Sequence, residues 1–165
     1  MTAASTDLRL LVVMRHGEAR MSSDSGDEGR ELTDTGRADC EEVGRWLTSE
    51  GVRPDLVLVS PATRTRQTWE ALQRGGVVCD DVRIERVLYQ GDIDEICDAF
   101  AQEDARVVLL VGHAPTAPAV GSDIVEQGGQ RRAWPPATVA VVSHPGEWDS
   151  YPGDDTTVAA HRTPR

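Results

Sequence analysis

The sequence predicts a three-layer α/β/α fold around a mostly parallel central sheet, and three observations carry that prediction. Short valine- and leucine-rich runs alternate with stretches of helical periodicity, the pattern of strand–helix–strand units. Two of the runs end on a histidine: 8–14 (LRLLVVM) runs into Arg15-His16-Gly17, and 107–111 (VVLLV) into Gly112-His113. Ligands of open α/β sheets bind where strands end, so paired histidines there suggest one site fed from two parts of the chain. Finally, 165 residues with 39% hydrophobic content can bury one core, and no repeat or long linker divides them. A single domain over 1–165 is expected.

Each element has a local reason. Residues 1–7 are small and polar and are expected to be flexible. Residues 8–14 form the first strand, apolar except for Arg9. The Ser-, Gly- and acid-rich stretch 20–31 (RMSSDSGDEGRE) reads as an exposed loop, either a lid or a passive surface segment. A helix over 34–50 is capped by Thr33 or Asp34. Cys40, Val43 and Leu47 make its apolar stripe, and Gly51 ends it. After Pro54, 55–59 is a second strand. Ser60 as cap and Pro61 at the first helical position open a helix with Thr65, Trp69 and Leu72 on one face, stopped by Gly75-Gly76.

A short strand is expected within 77–87. A helix over 92–102 follows, with Asp92 as cap and Ile93, Ile96, Ala99 and Phe100 inward. Then come a strand at 106–111, a helix over 116–126 and a strand at 139–143 preceded by Pro135-Pro136. Residues 147–151 are expected to pair with that strand as a hairpin, and 154–165 to be a flexible tail.

The net charge is −11, carried by 17 arginines and no lysine against 28 acids. Such a balance disfavours nucleic acid and anionic membrane as partners. Cys40, Cys79 and Cys97 form no CxxC pair and read as reduced thiols of a cytoplasmic protein. No zinc pattern and no secretory or membrane-spanning run is found. The acids of 24–31 lack the spacing of a calcium loop and read as solvated. No metal and no cofactor is expected, and the chain is expected to be a monomer.

Four residues carry the chemistry: Arg15, His16, Arg64 and His113. Arg15 and His16 end the first strand, Arg64 lies in the first turn after the second, and His113 ends a later one. If those strands are parallel neighbours, all four side chains meet at one sheet edge. Two guanidiniums and a helix N-terminus make an anion site, and the planar fork of Arg suits phosphate. A neutral imidazole there can attack phosphorus and form a phosphohistidine intermediate, with a protonated His113 as donor to the phosphoryl group.

The segment Met-Arg-His-Gly-Glu-Ala at 14–19 resembles the RHG signature of the histidine phosphatase superfamily, also called the phosphoglycerate-mutase-like fold. Leu32-Thr33-x-x-Gly36, Ser60-Pro61-x-x-Arg64-x-x-Gln67-Thr68 and Val111-Gly112-His113 resemble its further motifs, in the right order. The short chain is most similar to the SixA-type phosphohistidine phosphatases of bacteria. It departs from them at Glu31, where they usually have Pro, and at Ala114, where Asn is common. The resemblance implies His16 as nucleophile, with Arg15, Arg64 and His113 on the phosphoryl group. Arg30 can also reach a phosphate from its loop.

Larger members have an acidic proton donor, and here Glu18 and Asp92 are weak candidates, Asp92 serving better as a helix cap. A site without a dedicated acid suits a leaving imidazole, whose pKa is about 6.5, better than an alkoxide. The expectation is therefore a metal-independent phosphatase acting on protein phosphohistidine. The alternatives are a phosphatase of small phosphate monoesters and a phospho-ligand binding module. His144 and His161 read as structural, Trp46 and Trp69 as core, and Trp134 either as the site's edge or as cover for the sheet.

Overall fold

The apolar runs pair edge to edge into one six-stranded sheet of order β3-β2-β4-β1-β5-β6 in the computed structural model, which describes residues 8–164. The strands are β1 (Leu8–Arg15), β2 (Leu56–Val59), β3 (Val82–Ile84), β4 (Val107–Gly112), β5 (Val139–Pro145) and β6 (Thr157–Arg162). The first four run parallel, and β5 and β6 are each antiparallel to the neighbour before them. Strands β1, β2 and β4 are apolar almost throughout because helices cover both faces of the sheet.

On one face, α1 (Asp34–Ser49) and α2 (Thr63–Arg74) bury Cys40, Val43, Leu47, Trp69 and Leu72 against the sheet. On the other, the single turn α3 (Val87–Gln90), α4 (Ile93–Phe100) and the short α5 (Thr116–Pro118) bury Leu88, Ile96, Phe100 and Ala117. The fold is thus the predicted three-layer α/β. Thr33 caps α1 by accepting from Gly36 N–H, and Gly51 beyond it takes a left-handed φ of 74°. Asp92 caps α4 in a reciprocal capping box with Glu95.

Four local expectations are corrected. The stretch 157–162 of the expected tail is β6, which pairs along β5. Its apolar run is only Val158-Ala159-Ala160, too short to announce a strand beside Thr157, His161 and Arg162. It is held by main-chain bonds, by Ser143–Thr157 and Thr138–Thr163 hydroxyl contacts, and by Arg162 over Trp46. Residues 147–151 do not form a hairpin: Trp148–Ser150 is a 3-10 turn that buries Trp148 against Phe100. The helix expected over 116–126 is α5 followed by a π-helical turn, Ala119–Asp123. Finally, α2 starts at Thr63, with no side-chain cap from Ser60, whose hydroxyl is engaged elsewhere. The expectation for 1–7 lies outside the described residues.

The loop over 20–31 is mostly exposed, as expected, but it is pinned at both ends. Arg20 N–H donates to the Glu31 carbonyl, and Ala19 bridges Leu32. A 3-10 turn at Asp27–Gly29 lies against α2. No helix of the described residues is long and apolar enough to cross a membrane.

Candidate active site

Strand register brings the two histidines together. Arg15 pairs with Gly112 across β1 and β4, and His16 N–H donates to the Gly112 carbonyl, so the next residues, His16 and His113, are neighbours. Val59 pairs with Val111 on the other side of β4, which sets Ser60 and the start of α2 beside His113. The chain leaves β1 toward β2 and leaves β4 toward β5, in opposite directions. The two histidines therefore sit at the topological switch point of the sheet, the usual ligand crevice. Their ring centroids are 5.3 Å apart.

His16 is nearly buried, 8% exposed. Its Nδ1 lies 2.7 Å from the Gly17 carbonyl oxygen, which can only accept, so Nδ1 carries the hydrogen. The lone pair of the neutral ring is then on Nε2. Burial, and next the positive charges of Arg64, Arg15 and Arg30, push its pKa down to about 4 against the raising effect of the Gly17 bond. The ring is neutral at pH 7, the state a nucleophile needs. Gly17 is itself held, its N–H donating to Thr68 Oγ1 at 3.1 Å. A Cβ on Gly17 would come within 2.6 Å of Cys40 Sγ, so the RHG glycine is required by close approach to α1.

His113 is equally buried, and burial followed by the charges of His16 and Arg64 pushes it down to about 3. Burial therefore favours the neutral ring where a protonated His113 was expected, and a neutral ring donates from one nitrogen. Its Nε2 lies 2.7 Å from Ser60 Oγ, which also accepts from Ala62 N–H, and its Nδ1 is a buried atom with no protein partner.

The two arginines frame the histidines. Arg15 donates from Nη1 to the Trp134 carbonyl at 2.8 Å, and burial lowers its pKa. Arg64, second residue of α2, is 6% exposed. Its Nη1 and Nη2 donate to the carbonyl and carboxylate of Asp27 at 2.8 and 3.1 Å. Both Nε atoms are buried and without a partner. Buried guanidinium donors left open in this way fit an incoming anion.

The other candidates lie differently. Arg30 is turned into its own loop, donating to the Arg20 carbonyl and to Asp27. Glu18 accepts from Thr33 Oγ1 at 2.7 Å, at the N-terminus of α1, and Asp92 is engaged in its capping box. Trp134 contributes to the site through its carbonyl, while its buried indole donates to Ser122. His144 is a buried structural residue bonded to Thr156 and the Glu147 carbonyl.

Sequence reasoning missed Asp27, set aside as one of a run of solvated acids, and Tyr89, whose hydroxyl donates to Asp27 at 2.6 Å. It read Ser60 only as a cap. The motif residues that were noted without a task have one. Gln67 accepts from Leu32 N–H and ties the loop end to α2, and Thr68 holds Gly17.

Residues 11–88 match the model of the histidine phosphatase superfamily, branch 1. The solved structure of a candidate phosphohistidine phosphatase SixA from Nakamurella multipartitia superposes with a TM-score of 0.84 at 34% identity, covering 95% of this chain and 96% of that one. Phosphohistidine phosphatase SixA of Escherichia coli is 30% identical over 115 residues, 62% of this chain and 66% of that protein. An uncharacterized chloroplastic protein of Arabidopsis thaliana is 41% identical over 66 residues, 39% of this chain but only 30% of its own length.

Proposed function

The chain belongs to the histidine phosphatase superfamily, and from that premise we propose that it hydrolyses phosphohistidine on proteins through a covalent intermediate on His16. The observation that carries this reading is the Nδ1–H bond of His16 to Gly17, which leaves Nε2 as the attacking atom among Arg15, Arg64 and His113. The names of the Nakamurella and Escherichia coli relatives point to the same substrate class.

The reaction runs in two displacements. The Nε2 lone pair of His16 attacks phosphorus, and the P–N bond to the substrate imidazole breaks. The departing ring keeps that electron pair and, protonated on its other nitrogen beforehand, leaves neutral. Water then attacks the phosphorus of phospho-His16, the new P–N bond breaks back to His16, and inorganic phosphate departs. Arg15 and Arg64 bind the non-bridging oxygens, and His113 is the third donor. The positive charge comes from the chain's own arginines, so the scheme needs no metal.

The carboxyls near the site argue for a leaving group that needs little acid. Asp27 is held ionised, well below the usual carboxylate range, by Tyr89, Arg30 and Arg64. Asp92 is a helix cap, and Glu18 accepts from Thr33. An imidazole, with a pKa near 6.5, leaves without a strong proton donor, whereas a serine or sugar alkoxide does not. Cytoplasmic placement accords with three free cysteines among the described residues.

The test is a single turnover with protein carrying radiolabelled phosphohistidine, quenched without acid. Label is expected on His16 and is expected to vanish in His16→Ala. Comparable turnover of phosphoserine and phosphohistidine peptides would remove the substrate assignment. Unimpaired hydrolysis by His16→Ala would overturn the mechanism.

A further inference from the structure

Asp27 reaches from the 20–31 loop onto the arginine whose charge acts on both imidazoles. Its backbone carbonyl accepts from Arg64 Nη1 at 2.8 Å, and its Oδ2 accepts from Arg64 Nη2 at 3.1 Å. The same Oδ2 accepts from the Tyr89 hydroxyl at 2.6 Å, and Oδ1 accepts from Arg30 at 3.1 Å. Tyr89 in turn packs edge-on against His113, with ring centroids 5.4 Å apart. One residue therefore joins the loop, both nearby arginines and, through Tyr89, the second histidine.

We propose that Asp27 is the positioning residue of Arg64, clamping the guanidinium end-on so that its side-on edge is presented to the phosphoryl group. The proposal rests on the reading of this site as a phosphoryl site. A guanidinium has two edges able to bind two acceptors at once: Nη1 with Nη2, and Nε with Nη2. Asp27 occupies the first with a carbonyl and a carboxylate oxygen of the same residue. The second keeps the buried, partnerless Nε and the remaining Nη2 hydrogen.

Fixing an arginine side chain costs up to about 2 kcal/mol of rotamer freedom, and a guanidinium already held does not incur that cost when the phosphoryl group arrives. Arg64 is buried and Asp27 is at the rim, its side chain 53% exposed, so the clamp reaches inward from the loop. The acidic residue discounted in the sequence as solvated is thereby given a role at the centre.

Bare electrostatics predicts the opposite effect. A carboxylate on Arg64 repels an incoming phosphate, so a mere competitor would be improved by its removal. The sign of the change decides between the two. Orthovanadate binding is measured by calorimetry for the wild type, Asp27→Ala, Asp27→Asn and Tyr89→Phe, with thermal midpoints alongside. Asp27→Ala is expected to bind about tenfold more weakly, the loss of one charge-assisted hydrogen bond, while still unfolding cooperatively at a midpoint a few degrees lower because Arg64, Arg30 and Tyr89 each lose a partner. Asp27→Asn is expected to fall between, and Tyr89→Phe to weaken binding about threefold, because it releases the Asp27 carboxylate without touching Arg64. Equal or tighter vanadate binding by Asp27→Ala overturns the proposal alone. No vanadate binding by the wild type overturns the phosphoryl-site reading, and the clamp with it.

Discussion

Lowering the pH tests the proposed nucleophile, His16, most directly. In the folded chain His16 is pushed down to about 4, chiefly by burial, whereas in the unfolded chain it returns to about 6.5. At pH 5.5 about nine in ten ordinary histidines are protonated, but only about one in thirty His16 rings. The native site thus refuses a proton that the unfolded chain accepts. The stability contribution is complete above about pH 6.5 and is lost as the pH falls toward about 4. The gap between those two values, at about 1.4 kcal/mol per pH unit, amounts to about 3 kcal/mol.

His113, lowered to about 3 by burial, by His16 and by Arg64, acts in the same direction. The two rings repel each other's protonated forms, so their effects do not simply add. Two measurements apply: NMR titration of the His16 ring in the folded protein, and urea unfolding at stepped pH for the wild type and His16→Gln. The expected results are no His16 titration above about pH 5, and a shallower loss of stability with acid in His16→Gln. A His16 ring that titrates near 6.5, or a urea midpoint that stays flat between neutral pH and pH 5, would refute the account of a desolvated nucleophile.

Two further predictions concern geometry rather than charge. Arg64→Lys keeps the positive charge but cannot hold Asp27 and a phosphoryl group on two edges, so kcat/KM is expected to fall about 100-fold. Activity close to the wild type would show that charge alone suffices. Gly36→Ala would drive a Cβ into the Glu18 carbonyl oxygen, a rigid backbone atom. A loss of about 2 kcal/mol in urea unfolding is expected from the forced separation of α1 from the segment after His16. A wild-type midpoint would show that this approach can relax freely.

The alternation of strands and helices was legible because buried parallel strands must be apolar on both faces, and β1, β2 and β4 are. The meeting of Arg15, His16, Arg64 and His113 was legible for a related reason: each lies at a strand end or a few residues beyond one. Where bonding does not depend on apolar side chains, the sequence was silent. Strand β6 is held by its ladder and by hydroxyl pairs, so its residues look like a tail. The π-helical turn after α5 and the 3-10 turn that buries Trp148 likewise follow from packing on the sheet, which local periodicity does not record.

The site divides along the same line. Residue type alone determined which groups could grip a phosphoryl group and which could attack it. Only the folded chain decided that His16 and His113 are neutral, because their pKa values depend on burial and on charges brought from distant segments. Only the folded chain turned Ser60 from a helix cap into the partner of His113, and Asp27 from one acid among several into the partner of Arg64. Those contacts span 53 and 37 residues along the chain, and a hydrogen bond depends on distance in space, which no spacing in the sequence encodes.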